Sequence, residues 1–416
     1  MNSFNFLIDL ALILISTKLL GLLTKRFQLP QVVGALLAGL IFGPALLNVL
    51  TETDFIAKTS EIGVIVLMFT AGLETDVKEL KKTGKASLII AIIGVIIPLA
   101  GGYFLASLFN TAPTDGASAS LFLQNMFIGV ILTATSVSIT VETLKEIGKL
   151  NTRAGNAILG AAIIDDILGI IALTIITSMT DQSVLLWLVL LKILGFFAVS
   201  AIGGLVFYYL FKHFVNRYNK DMRRFVIVAF FFCLLLSYVA EEYFGVADIT
   251  GAYIAGLIIA NNPKSSYIAS RFDTISYMFL SPIFFASIGL KFELPHMTTA
   301  IIVFSVLLVI VAVLTKVVGC GIGAKLSKFS SSESVQVGCG MISRGEVALI
   351  VANKGAALGL MSTVFFGPVI LTVIITTIVA PVLLKLAFRS SKTEAEQLAV
   401  SPLVEDFERL NEYNHE

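Results

Sequence analysis

Charge is scarce in this sequence. Asp, Glu, Lys and Arg make up 14% of 416 residues, against 57% apolar residues and a mean hydropathy of +0.93. A soluble chain of this length cannot carry so many apolar side chains on its surface, so a water-soluble globular protein is excluded and a polytopic membrane protein is expected. Cysteine and histidine are also rare. Cys233, Cys320 and Cys339 fall within apolar runs, and His213, His296 and His415 are scattered, which excludes a disulfide framework and a zinc site. A basic n-region is missing as well: Met1 leads through a short polar start into a full-length apolar run, so the first span is expected to be retained. The net charge of +1 singles out no class of partner, and neither a nucleic-acid partner nor a cofactor is expected.

What the sequence has in abundance is apolar runs of bilayer length. They predict an all-α fold of about thirteen transmembrane helices, near residues 4–24, 30–49, 59–74, 84–109, 122–143, 154–179, 183–211, 223–244, 246–261, 274–290, 297–324, 334–353 and 360–387. Sorting Lys and Arg by alternate loops puts 22 on one side, from Lys25 and Arg26 to Lys392 and Arg409. Only Lys58, Lys291 and Lys354 lie on the other, and Lys18, Lys192, Lys316 and Arg344 fall within spans. By the positive-inside rule the first side is cytoplasmic, which places the N-terminus outside and the C-terminus inside.

The chain also repeats itself. Gly34-Ala35-x-x-Ala38-Gly39-Leu40-Ile41 in span 2 recurs as Gly251-Ala252-x-x-Ala255-Gly256-Leu257-Ile258 in span 9, and Gly72-Leu73 recurs as Gly289-Leu290, both at an offset of 217 residues. Small residues at such spacing can serve ordinary helix packing, but a shared offset points to duplication. Equivalent points lie an odd number of spans apart, so the second copy is expected upside down in the membrane, giving two inverted six-helix repeats joined by span 7. Such folds place interrupted helices at corresponding positions of the two halves. Span 5 holds Thr133-Ala134-Thr135-Ser136-Val137-Ser138-Ile139-Thr140, and span 12 holds Gly338-Cys339-Gly340-Met341-Ile342-Ser343-Arg344-Gly345-Glu346. Hydroxyls and glycines at that depth can satisfy backbone groups freed by an unwound turn.

Span 6 carries two adjacent carboxylates, Asp165 and Asp166, in the run AILGAAIIDDILGIIAL. A charge at membrane depth costs a few kcal/mol or more, which makes the pair the expected ion and proton site. Neighbouring helical residues point about 100° apart, so one can line the ion path while the other takes a partner. Lys316, near the middle of span 11, is the expected partner, because a buried ammonium needs a counter-charge. Arg344 and Glu346 could neutralise each other or form a supporting charge network. A buried carboxylate can hold a proton or a small cation but hardly both, and that competition is coupled exchange. Lys18, Lys192 and Asp9, nearer span ends, are expected to snorkel.

On TATSVSIT, GAAIIDDILG, the lysine of LTKVVGCGIGAK and MISRGEVALI, the sequence resembles bacterial sodium/proton antiporters of the monovalent cation:proton antiporter superfamily, a fold with crossed discontinuous helices. The resemblance covers nearly the whole chain. It implies a scaffold and dimerisation part (1–82 and 213–293), a core that moves like an elevator (83–180 and 294–389), a linker helix (181–212) and a cytoplasmic tail (390–416). It also implies a homodimer in the bacterial inner membrane. Carried over by residue, Asp166 looks like the main cation and proton carboxylate, Asp165 the partner of Lys316, and Thr135 and Ser136 the unwound turn beside the ion. Na+ would then sit at Asp166, Asp165 and Thr135, with Arg344 and Glu346 as the charged pair of the second broken helix. The Asp-Asp pair favours exchange of Na+ or Li+ for H+, electrogenic by analogy. A K+/H+ or mixed Na+(K+)/H+ antiporter is the alternative, and a Na+-coupled organic-anion symporter or a channel stands below it. An intramembrane aspartyl protease would need two carboxylates converging from different helices, which adjacent residues on one helix do not provide.

Overall fold

The computed structural model describes residues 5–27, 29–110, 118–180, 186–217, 222–291 and 298–389. The expected cytoplasmic tail, 390–416, lies outside the described residues. Among those described there are sixteen α-helices and no strand. They are α1 (Asn5–Arg26), α2 (Gln31–Phe42), α3 (Asp54–Glu74), α4 (Val77–Phe109), α5 (Leu121–Thr133), α6 (Val137–Glu146), α7 (Arg153–Thr180) and α8 (Leu186–Arg217), then α9 (Arg223–Tyr238), α10 (Asp248–Ala260), α11 (Ser265–Ile275), α12 (Ser281–Leu290), α13 (Thr299–Leu326), α14 (Ser331–Gly340), α15 (Glu346–Ala357) and α16 (Phe366–Arg389). Ten stretches are long and apolar enough to cross a bilayer, with α5 and α6 counted as one and α11 and α12 as another; α2 and α10 are shorter apolar helices. Together with the interrupted pair α14–α15, they account for the thirteen expected spans.

The edges differ from expectation where local chemistry overrides hydropathy. Span 2, expected to residue 49, ends as a helix at Phe42, because Gly43 closes the last turn onto the Gly39 carbonyl and Pro44 cannot continue it. α3 starts at Asp54, ahead of its apolar run, because the Thr53 hydroxyl accepts from the Ile56 N–H. α4 likewise gains two polar turns behind Asp76, whose carboxylate accepts from Lys78 and Glu79.

The helices pack in two sets. α4 lies against α13, α5 and α7, α13 against α14 and α16, and α14 against α16 and α7. In the other set α10 packs on α3 and α9, α2 on α1 and α12, and α3 on α12 and α11. The sets meet chiefly where α6 touches α2 and α3 and where α16 touches α2, while α8 touches both α7 and α10. Large apolar side chains along α1 (Leu7, Ile15, Leu19, Leu22) and α8 (Trp187, Leu194, Ile202) face outward, as a bilayer requires.

The 217-residue repeat is written into the contacts. A Cβ on Gly39 of α2 would come within 2.0 Å of the Ala286 carbonyl oxygen and 2.9 Å of the Gly289 Cα on α12. A Cβ on Gly256 of α10 would come within 2.3 Å of the Phe69 carbonyl oxygen and 2.9 Å of the Gly72 carbonyl carbon on α3. The repeat motif of each half therefore packs against the Gly-Leu end of the other half. The same correspondence holds outside that pair: Gly34 meets Leu20 and Gly21 of α1, and Gly251 meets Leu236 and Ser237 of α9. Lipid tails offer helices no hydrophobic reason to associate, so close backbone approach through glycine supplies the packing.

Candidate functional site

The two interruptions expected from the repeat fall at Ala134–Ser136, between α5 and α6, and at Met341–Gly345, between α14 and α15. They cross and bond to each other. The Ser136 N–H donates to the Ser343 carbonyl at 2.7 Å, and the Ser343 hydroxyl donates to the Ser136 carbonyl at 2.9 Å. The Thr140 hydroxyl donates to the Gly340 carbonyl at 2.8 Å and lies 2.8 Å from the Ser343 hydroxyl, while the Thr135 hydroxyl reaches the Met341 carbonyl at 3.4 Å. Each unwound turn thus supplies partners for the backbone groups the other has released, which is how non-helical backbone survives at membrane depth. In sequence Thr140 and Ser343 are only members of their motifs; their part in tying the two breaks together is a tertiary fact.

Arg344 sits in the second break with its side chain wholly buried. Its guanidinium donates to the carbonyls of Ile342 at 3.0 Å, Leu132 at 2.7 Å and Ala312 at 3.1 Å. Leu132 belongs to the last turn of α5, so the cation stands at the negative end of a half-helix dipole and satisfies a carbonyl left open there. This carbonyl cradle accounts for three of the bonds Arg344 makes; the expected pairing with Glu346, which opens α15, falls on a side chain outside the described ones.

Asp165 and Lys316 meet as expected. The ammonium is 3.0 Å from both carboxylate oxygens, with the two side chains 1% and 0% exposed. Asp165 also faces the Thr135 hydroxyl, and Arg344 is a second positive charge within its field. The structure therefore brings together Asp165 from α7, Lys316 from α13, Thr135 from the first break and Arg344 from the second. Ser136, buried in the same turn, lies beside the Ser138 hydroxyl at 3.3 Å. Asp166, the next residue of α7, is partly buried, and the helical turn of about 100° directs it away from the Lys316 pair. Chemically the crossing gathers one carboxylate held by a lysine, another adjacent, and hydroxyls and carbonyls freed by two breaks. Oxygen ligands of that kind suit a small monovalent cation. Among the described residues no cluster of three His, Cys, Asp or Glu side chains could hold a resident metal.

Lys18, expected to snorkel, donates to the Tyr277 hydroxyl and lies over that ring at 4.4 Å from its centroid. Tyr277 belongs to a π-helical turn, Ser276–Leu280, joining α11 to α12. No sequence spacing connects the two residues.

Comparison with known proteins yields matches along nearly the whole chain. The profile of the family described as sodium/hydrogen exchanger, transmembrane, matches residues 11–389. The chain is 37% identical over 392 residues to the Na(+)/H(+)-K(+) antiporter GerN of Bacillus cereus, covering 92% of this chain and 97% of the relative. It is 34% identical to the Na(+)/H(+) antiporter of Enterococcus hirae, covering 90% and 96%. Among solved structures, the sodium proton antiporter MjNhaP1 of Methanocaldococcus jannaschii superposes with a TM-score of 0.71 at 20% identity, over 95% of this chain and all of that one.

Proposed function

Because the chain belongs to the sodium/hydrogen exchanger family, whose members are membrane transporters and not enzymes, we propose that it exchanges Na+ or Li+ for H+ across the bilayer. The single observation that carries this reading is the buried Lys316–Asp165 pair, set beside Asp166 where two broken helices cross. A cation arriving among Asp166, Asp165 and Thr135 competes with a proton for the same carboxylate, and the competition couples the two fluxes. Ser136 extends the polar turn, and Arg344 fixes the end of α5 so that the break keeps its shape.

Exchange further requires that the site open to one side at a time. We read the set containing α4–α7 and α13–α16 as a core that slides like an elevator against the set containing α1–α3 and α9–α12. The packing of each set on itself supports that division. The second set is also where a homodimer contact belongs in this reading. The excess of Lys and Arg at one end of the spans supports a cytoplasmic C-terminus, in a bacterial inner membrane.

The experiment is direct. Purified protein in liposomes with an imposed pH gradient should dissipate it on addition of Na+ or Li+, and more weakly on K+. A response to K+ alone would overturn the sodium assignment. Equal responses to all three ions would replace it with the mixed Na+(K+)/H+ reading, which the name of the Bacillus cereus relative favours.

A further inference from the structure

The far end of α6 carries a second group of charges, about 14 Å along the helix from Ser136 at 1.5 Å per residue. Lys145 Nζ is 2.9 Å from Asp273 Oδ1 on α11 and 3.3 Å from Glu74 Oε2 at the end of α3. Next to it, the Glu146 carboxylate accepts the Gln31 N–H at 2.7 Å from both oxygens. Gln31 is the first residue of α2, and Pro30, at the N-cap, makes no side-chain cap of its own. The open N–H groups and positive end of α2 are thus capped by a side chain from a different helix. Lys145, Glu146, Gln31 and Asp273 themselves line a cavity of about 630 Å³, whose other walls include Glu142 of α6 and Lys18 of α1. On that flank α6 borders open space, so polar bonds tie it to the opposite set there.

We propose that Lys145 and Glu146 form a latch that holds the core in this conformation and must open at every transit of the ion site. The inference rests on the reading that the two helix sets slide past one another. A displacement of several ångströms breaks all the bonds of Lys145 and Glu146 together, because charged hydrogen bonds of about 2.7–3.3 Å have no reach beyond that range. The latch therefore sets how much of the protein occupies this state, and with it the apparent affinity of the site from the side it faces. Lys145 and Glu146 act as positioning residues, since neither lies at the helix crossing.

The test uses the full chain in liposomes, with the three buried cysteines replaced by alanine and spin labels on cysteines at Lys85 of α4 and Ser266 of α11, both exposed. Distances between the labels should fall into two populations, one matching this structure. Lys145→Gln should lower the weight of that population relative to the other by roughly five-fold, the effect of a partly exposed ion pair, and Glu146→Ala by a similar factor. The swap Lys145→Glu with Asp273→Lys should restore the wild-type ratio, because the ammonium, moved to α11, would still lie between Glu74 on α3 and a carboxylate on α6. Unchanged ratios in both single variants, or a swap that fails to restore the ratio, would overturn the latch, as would one population under every ion and pH condition. None of these outcomes depends on which ion is carried. Failure of the unmodified protein to exchange cations for protons would instead strike the functional reading.

Discussion

Replacing Lys316 by Gln should abolish the response of transport to membrane potential. In the structure the ammonium contacts both oxygens of Asp165 at 3.0 Å, and neither side chain is more than 1% exposed. If the incoming cation opens that pair, Lys316 can release a proton while Asp165 engages the cation, so that two protons exchange for one Na+. One net charge then crosses per cycle. A potential of 100 mV acting on one charge is worth about 2.3 kcal/mol, and at 1.4 kcal/mol per factor of ten this moves the equilibrium sodium ratio about 50-fold. With Gln the second proton carrier is gone, exchange becomes one for one, and the shift should vanish. The same substitution strands a buried carboxylate, a loss of about 3–5 kcal/mol. The double variant Lys316→Gln, Asp165→Asn removes both charges and should recover most of it, which separates folding from coupling. The assay finds the sodium ratio at which net flux is zero, in liposomes held at 0 and at 100 mV, for wild type and variant. A variant that still shifts about 50-fold would refute the carrier role and leave Lys316 as a strut between α13 and α7.

Asp166→Asn should abolish cation-dependent proton flux while the protein remains folded, since an amide cannot alternate between proton and cation; near-wild-type flux would move the site elsewhere. Gly39→Ala and Gly256→Ala should each lower stability by about 1–3 kcal/mol, because the new methyl meets backbone on the facing helix in both halves. Gly203→Ala, with nothing within 4 Å of its Cβ in the interior of α8, serves as the control in the same melting experiment and should leave stability unchanged or raise it by up to about 1 kcal/mol.

The sequence by itself was enough for the class, the number of spans, the repeat and the position of both helix breaks. Each of these is a property of one segment or of a fixed offset. A bilayer demands about twenty apolar residues per crossing, and backbone can unwind at depth only where hydroxyls or glycines take over its bonds. Asp165 with Lys316 was legible for a related reason: two charges that cannot remain alone in hydrocarbon must find each other. What the sequence could not determine is which groups satisfy which across the fold. Nothing in its spacing tells that Arg344 serves three carbonyls, one of them at the end of α5, more than 200 residues earlier. Lys145 is one more cytoplasmic lysine and Glu146 a loop acid until α2, α3 and α11 are brought beside them. Carbonyls and helix ends have no signature in composition, and their demand for a partner becomes specific only when packing has decided which helix end stands where.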